Sequence, residues 1–337
     1  MINFTDIGNW HFVTELDIVE IDTPTAVDVS ISDASGNALL SANYMPVNGV
    51  VRVYNLARLL RPLITVIGGF TFTVGNDHKL VHVVQGGIAV SEPANAFLPS
   101  FFLSTVMTER DTSLERKEAL SLIPIELTMP TVQAVCSYWN GETVVTVNKP
   151  VTAELIANTL CELDVSASHF VDSAIGELVA YCIVAGERTM RYRVTSLPTA
   201  DYAMLMRNNF GAWEAFYFAG MTEESPEYIR ETAMVNGAMK VYNLEETANF
   251  KSWTGPLRPS GVNLARDLAR NRDIFLLERG VATDAVVITA VDVKHTSADN
   301  DIADFTFTWR RSALWSAKLK TARPPKLFDE TFDETYN

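Results

Sequence analysis

Apolar side chains recur at every second position in short runs rich in Val, Ile, Thr, Phe and Tyr, and Gly, Asn and Asp interrupt those runs roughly every ten residues. That period lays one face of each run against a core and the other against water, which predicts antiparallel strands joined by tight turns. The most explicit hairpin is SYWNGETVVTV, where Asn140-Gly141 supplies the positive φ angles of a primed two-residue turn. The same reading predicts hairpins at AVDVSIS–DASGN–ALLSAN, TFTV–GNDH–KLVHVV, LVAYCIVA–GE–RTMRYRV, YAMLMR–NNFG–AWEAFYF and DAVVITAVDV–KHTSADND–IADFTFTW. The expected fold class is all-β and mainly antiparallel: two β-sandwich-like domains with a few short helices and an extended C-terminal tail.

Two segments repeat one another. VNGVVRVYNLARLL (47–60) and VNGAMKVYNLEETA (235–248) share V-N-G and, after one basic position, Val-Tyr-Asn-Leu. Each copy predicts an Asn-Gly turn, a strand ending at Tyr54 or Tyr242, and a short helix capped by Asn55 or Asn243, with Pro62 closing the first helix. The match is either a duplicated β domain with a shared crossover helix or a coincidence of strand-turn sequence. A third helix is expected after Asn263, over LARDLAR, with Arg266, Arg270 and Arg272 toward its solvent side or C-terminal end. Pro124 and Pro130 flank a short run after the charged TERDTSLERKEA and place a boundary there: an N-terminal β domain over 1–127, a larger C-terminal β domain over 128–326 and an acidic aromatic tail over 327–337. In the tail, KLFDETFDETYN sets Phe328, Phe332 and Tyr336 on one face of an extended strand. Such a segment is either disordered or adds to a sheet edge in its own or a neighbouring subunit.

The 337 residues are 47% hydrophobic and 20% charged, which fits a folded chain of about two domains and excludes disorder over the whole length. The formal charge of −14 repels a phosphate backbone, so nucleic acid is not an expected partner. That charge is unevenly spread. Residues 1–51 hold seven acids and no base, 150–187 six acids and no base, and 327–337 four acids and no base. By contrast WRRSALWSAKLKTARPPK carries Arg310, Arg311, Lys318, Lys320, Arg323 and Lys326 without one acid. Segmental polarity of this kind suits acid-to-base contacts between copies or neighbours. Cys136, Cys161 and Cys182 form no C-x-x-C and read as small buried hydrophobes in a reducing compartment, with one disulfide and an odd thiol as the other option. No basic residue precedes Arg52, which argues against a secretory signal, and the longest uncharged stretches, 63–76 and 93–108, are shorter than a bilayer span.

Signals of chemistry are sparse. His78 and His82 are spaced i, i+4 beside Asp77 but lack an H-E-x-x-H arrangement, and read as polar-face strand residues. Asp299, Asp301 and Asp304 lack the central Gly and terminal Glu of a calcium loop, and read as a solvated hairpin tip. There is no G-x-S-x-G elbow and no cysteine flanked by charge, and Gly86-Gly87 opens no helix that would cradle phosphate. Carboxylates such as Glu214, or Glu223 with Glu224, have no separation that sequence supplies. The expectation is a protein that is no enzyme and needs neither cofactor nor metal.

Nearly every position of DYAMLMRNNFGAWEAFYFAGMT is apolar, with Met204, Leu205 and Met206 on one arm and Trp213, Ala215, Phe216, Tyr217 and Phe218 on the other. A strand apolar on both faces is covered on both, either inside the larger domain's own core or partly against another subunit. Trp253, Trp309 and Trp315 lie among polar residues, where they serve either ordinary packing or a stacked sugar.

MRNNFGAWEAFYFAG, FDETFDETYN, NALLSANYMPVNGVVRVYNLARLLRP and the order of DLARNRDIFLLERG, VVITAVDV and FTFTWRR resemble a family of uncharacterised virion or tail-associated structural proteins of Bacteroidetes phages and prophages. The resemblance is scattered over most of the chain and carries no catalytic residue. It implies a tail or baseplate-type structural protein, made in the bacterial host cytoplasm and located in the virion, whose partners are other virion proteins or copies of itself. The residues expected at such contacts are Arg310 and Arg311 in the basic stretch, Phe328, Phe332 and Tyr336 in the tail, and Trp213, Phe216 and Phe218 in the aromatic hairpin. The competing expectation is a carbohydrate-binding or receptor-recognition β-sandwich module that presents Trp or Tyr beside Asp or Asn.

Overall fold

The computed structural model describes residues 1–86, 90–106, 108–126, 128–196, 202–278, 280–294 and 303–312. The chain is mostly β, in several largely antiparallel sheets with a few short helices, as the two-residue period predicts. The first body contains β1 (Ile2–Asn3), β2 (Trp10–Phe12), β3 (Ile18–Asp22), β4 (Val27–Asp33), β5 (Ala38–Tyr44), β6 (Val50–Tyr54), α1 (Leu56–Leu60), β7 (Ile67–Val74), β8 (Asp77–Val84) and α2 (Ala94–Ser100). Its sheets run β1-β3-β6 and β2-β8-β7-β4-β5. Alternate residues meet in one core: Val19, Ile21, Val51 and Val53 from the first sheet, Val29, Ile31, Phe70 and Phe72 from the second, closed by Leu56 and Leu60 of α1. Asn55 does start that helix, but not as a side-chain cap. It takes the left-handed conformation at φ 61, which Asn tolerates better than most residues, and its side chain makes no capping bond.

The second body follows with β9 (Glu109–Thr112), β10 (Ala119–Leu122), β11 (Val132–Trp139), β12 (Val144–Pro150), β13 (Cys161–Asp164), β14 (Glu177–Ala185) and β15 (Arg188–Val194). A five-stranded sheet, β12-β11-β14-β15-β9, packs on the pair β10-β13 through Ala134, Cys136, Tyr181, Ile183 and Tyr192 against Leu120, Leu122 and Leu163. β9 and β10 precede residue 127 and pair with β15 and β13 beyond it, so strand pairing crosses the boundary expected there. Prolines end strands locally and do not mark where a core ends. The Asn140-Gly141 turn also differs from expectation. Trp139 pairs with Val144, leaving a four-residue loop, and the Asn140 side-chain oxygen accepts from the Glu142 and Thr143 N–H groups. All three cysteines are free, and burial pushes the Cys136 and Cys182 thiols up from their ordinary range.

The third body comprises β16 (Ala203–Arg207), β17 (Trp213–Tyr217), β18 (Thr222–Val235), β19 (Ala238–Trp253), α3 (Pro259–Arg270), β20 (Ile274–Glu278), β21 (Val281–Lys294) and β22 (Asp304–Arg311). Its seven strands run β17-β16-β20-β21-β22-β19-β18. One sheet face, lined by Met204, Phe216, Phe250, Phe307 and Trp309, packs under Val262, Ala265 and Leu268 of α3. Helix α3 begins at Pro259 rather than after Asn263, because proline at the first helical position forfeits no bond. The two sequence repeats share their turn, with Asn48 and Gly49 at φ 54 and 79 and Asn236 and Gly237 at φ 53 and 78. They part after the tyrosine. The first copy enters α1, whereas the second stays extended through Asn243 to Trp253, because β18 pairs with it along its whole length.

The first and third bodies are locked where Phe12, Phe97 and Phe210 meet with ring centroids 5.2–5.8 Å apart. Phe210 reaches that junction because Gly211 lies at φ +78 with its α-carbon pressed on the Thr65 carbonyl, where a Cβ would collide with backbone. Gly211→Ala combines that collision with a disfavoured φ and is expected to cost on the order of 2 kcal/mol or more in urea unfolding. Ala at Gly36, also at positive φ but in open space, is the control for the φ effect alone.

Candidate interaction arm and a buried ionic cluster

β18 and β19 have 14 and 16 residues, yet β22 pairs with β19 only over Asn249–Trp253. Beyond Asn249 the hairpin continues as two strands alone, and at about 3.3 Å per residue the 238–248 stretch projects roughly 35 Å. Alternation along the strand pairs sorts its side chains. Glu224, Tyr228, Thr232 and Met234, with Met239, Val241 and Glu246 opposite, lie on the face that Phe250 turns to the core. Met234 and Met239 face each other next to the turn, 69% and 72% exposed. Glu223, Glu227, Ile229 and Glu231 lie on the other face, where Asn243 Nδ2 donates to Glu231 at 3.2 Å. Tyr228 sits opposite Glu246, whose hydrogen bond raises the phenol above its ordinary pKa. Pro226, which has no N–H, is placed on β18, the outermost strand of the sheet. A two-stranded ribbon with neither face covered is marginal in water, and this one leaves Met234, Met239, Val241, Tyr228 and Ile229 at least half exposed.

At β17, the opposite edge of the same sheet, lies an enclosed ionic cluster. Arg110 of β9 donates through Nη1 to Glu214 of β17 at 3.0 Å, lies 3.4 Å through Nε from Glu118, and donates through Nη2 to the Ala215 carbonyl. Burial works against the Arg110 charge, but the carboxylates of Glu118 and Glu214 outweigh it and hold the guanidinium above its ordinary pKa. Glu118 accepts from Thr112 Oγ1 at 3.0 Å, and Glu214 accepts from Ser104 Oγ at 2.8 Å and Asn208 Nδ2 at 2.9 Å. Asp267 of α3, raised by burial, accepts from Thr105 Oγ1 at 2.5 Å and from the Asn209 N–H at 2.9 Å. Beside them the Arg116 guanidinium stacks 4.8 Å from the Tyr217 ring, and burial pushes that phenol up to about 12. The groups are directed at one another, and they bind the second body to the sheet that carries the arm.

The residues expected at contacts are dispersed. Phe216 and Phe218 are buried in the chain's own core and are therefore unavailable to a partner: the aromatic hairpin is covered by α3 and by Phe307. Trp213 is half-buried, with Arg207 stacked 4.1 Å away and Phe275 edge-on. Arg311 is bound within the chain to Asp284 and, at 3.8 Å, to Glu278. Arg310 is exposed and pairs in register with Asn249, at the root of the arm. Phe328, Phe332, Tyr336, Trp315, Asp299, Asp301 and the basic stretch beyond Ser312 lie outside the described residues. Trp309 is no sugar platform: it is fully buried, stacked on Phe250 at 4.3 Å, and its Nε1 donates to Ser252 Oγ. His82 stacks on Trp10 at 4.7 Å, and burial lowers its pKa. Glu223 and Glu224 point to opposite faces of the arm. Among the described residues no helix is long and apolar enough to cross a membrane, and no His, Cys, Asp and Glu side chains are grouped to hold a metal ion.

No protein-family model matches the chain, and no curated protein matches it. Among solved structures it is similar to a chain in the virion of a native gene transfer agent particle, at 11% identity and TM-score 0.24, over 34% of this chain and 92% of that one. A chain in the tail of an empty gene transfer agent particle gives 11% identity and TM-score 0.25, with the same 34% and 92% coverage. A chicken TCR crystal structure gives 11% identity and TM-score 0.16, over 61% of this chain and 87% of that one. TM-scores of this size establish neither a shared fold nor a shared role.

Arg110→Met leaves Glu118 and Glu214 buried without their cation and is expected to cost about 3–5 kcal/mol in denaturant unfolding. Adding Glu118→Gln and Glu214→Gln to it is expected to restore much of that loss, since the uncompensated charges are then gone.

Proposed function

We propose that this chain is a structural protein of a phage-like tail or baseplate-type particle, acting through protein–protein contacts and without catalysis. The observation that carries the assembly reading is the arm: a long ribbon with exposed apolar side chains on one face near its tip and charges of both signs on the other, mounted on a sheet whose one face is packed under α3. A binding module for a small ligand concentrates its polar groups in a concavity. Here the exposed apolar surface is instead linear and projecting, the form taken by elements that lie on another protein. The kind of particle follows from the resemblance of MRNNFGAWEAFYFAG and FDETFDETYN to virion and tail-associated proteins. The partners on this reading are other virion proteins or copies of this chain, and its location is the virion.

Ser225 and Asn249 are directly paired, so replacing Pro226–Ala248 by Asn-Gly closes the hairpin at its root with a primed two-residue turn. The shortened chain is expected to remain folded, melting within about 3 °C of the full chain, and to be absent from purified particles when it replaces the full chain in the producing cell. Normal incorporation of the armless chain would overturn the assembly role of the arm.

A further inference from the structure

β22 stops short of both its neighbours. It lies between β19 and β21 and ends at Arg311, whereas β21 runs on to Val281 and β19 to Ala238. Among the described residues nothing pairs with β19 on that side beyond Asn249, so the arm has an open inner edge that starts where β22 ends. The ladder is still being made at that point. The Ser312 N–H donates to the Ala285 carbonyl at 2.8 Å, one step past the Val286–Arg311 pair, and Arg311 reaches forward to Asp284, the next position on its own face. Unlike the outer edge of β18, which Pro226 interrupts, the 238–248 stretch contains no proline and can pair along its whole length.

We propose that residues 313–320 form a third strand of the arm, continuing β22 along the inner edge of β19 in the same chain. In β22, Phe305, Phe307 and Trp309 point to the core face and the residues between them point away. Carried on, that period sets Ala313, Trp315, Ala317 and Leu319 on the face that Phe250 shares and Ser316, Lys318 and Lys320 on the other, with Leu314 the one apolar exception. Because Arg310 pairs with Asn249, Ser316 comes opposite Asn243. Past the bulge that leaves Tyr242 unopposed, Ala317 comes opposite Val241, Leu319 opposite Met239 and Lys320 opposite Ala238, at the turn. Pro324-Pro325, with no N–H to donate, follow just beyond the end of the arm. Charge does not select this pairing: Lys318 falls level with Lys240 on an exposed face shared with Glu231, where such groups couple weakly through water. Backbone and burial select it. A straight continuation closes no loop, pairs the N–H and C=O groups that β19 leaves to water, and sets apolar side chains beside exposed Val241 and Met239. A strand from another copy has to displace one already tethered at Ser312. The added strand makes the ribbon a three-stranded sheet and brings residues 327–337 to the arm's tip. The pairing is a property of the single chain and stands or falls independently of the particle.

Hydrogen exchange read by mass spectrometry on the full chain tests the third strand. The wild type is compared with Ser316→Pro plus Ala317→Pro, adjacent positions chosen so that one of the two lost N–H groups faces β19. Asp333→Pro plus Glu334→Pro, beyond the proposed strand, is the control. In the wild type the amides of 313–320 and of 238–246 are expected to exchange slowly. In the Ser316→Pro, Ala317→Pro chain both stretches are expected to exchange about tenfold or more faster, and in the control neither changes. Wild-type 313–320 exchanging like a free peptide, or 238–246 indifferent to the inner prolines, would overturn the strand. Leu319→Cys with Met239→Cys then reads register and chain: mild oxidation is expected to link the pair within one chain, and neither single-cysteine variant is expected to give a new link. A link between chains puts a second copy's strand on the edge and overturns the pairing within one chain; no link at all overturns the register.

Discussion

The union of the second and third bodies turns on a cation held between two enclosed carboxylates. Arg110 joins β9 in the second body to β17 in the third through Glu214 and the Ala215 carbonyl, while Glu118 enters from the segment leading into β10. Such a cluster is a weak source of net stability, because desolvating three charges costs much of what their attraction returns. Its value is geometric. Donors hold three of the four carboxylate oxygens, Thr112 on Glu118 and Ser104 and Asn208 on Glu214, while the second Glu118 oxygen faces the Arg110 guanidinium at 3.4 Å, and these directed contacts set how the two sheets meet. Asp267 extends the same logic to α3, which thereby sits in a fixed place over the sheet.

The arm, at the other edge of that sheet, has no core of its own. From Asn249 outward, its shape is set by the β18–β19 ladder, a primed Asn-Gly turn and cross-strand pairs such as Tyr228 with Glu246. At its root, Phe250 is clamped on Trp309, and Trp309 in turn donates to Ser252 on the same strand as Phe250. A ribbon anchored this way loses less conformational freedom on docking than a free peptide does, so more of its contact energy is left for affinity.

The body of the fold was readable because it follows one rule: every predicted hairpin that pairs two half-buried strands also carries its turn residues, as at Asp33–Asn37 and Gly186-Glu187. The arm escaped that rule. A ribbon wet on both faces has no reason to alternate cleanly, and its second strand contains a helix-like Val-Tyr-Asn-Leu that pairing with β18 overrides. The signal that identifies it is Val-Asn-Gly-Ala set between two long runs of unequal polarity. Arg110 and Glu118 were hidden for the opposite reason. In TERDTSLERKEA they look like a solvated charge run, and nothing local says that the chain folds back to enclose them between Tyr192 and Tyr217. Phe216 and Phe218 misled as interface residues because a strand covered on both faces reads the same whether its cover is α3 or another molecule.

The overall charge takes on a different meaning once the faces are separated. A chain at −14 repels its own copies at long range, so self-contact requires the repulsion to be broken locally. The arm does so by mixing signs: Glu223, Glu227 and Glu231 share their face with exposed Lys240, Lys251 and, at its root, Arg310. Apolar surface at Met234, Met239 and Val241 is indifferent to net charge, because hydrophobic burial has no sign. The methionine tip, whose flexible side chains adapt to the surface they reach, is therefore the part of the arm whose contact area does not depend on the sign of its neighbour.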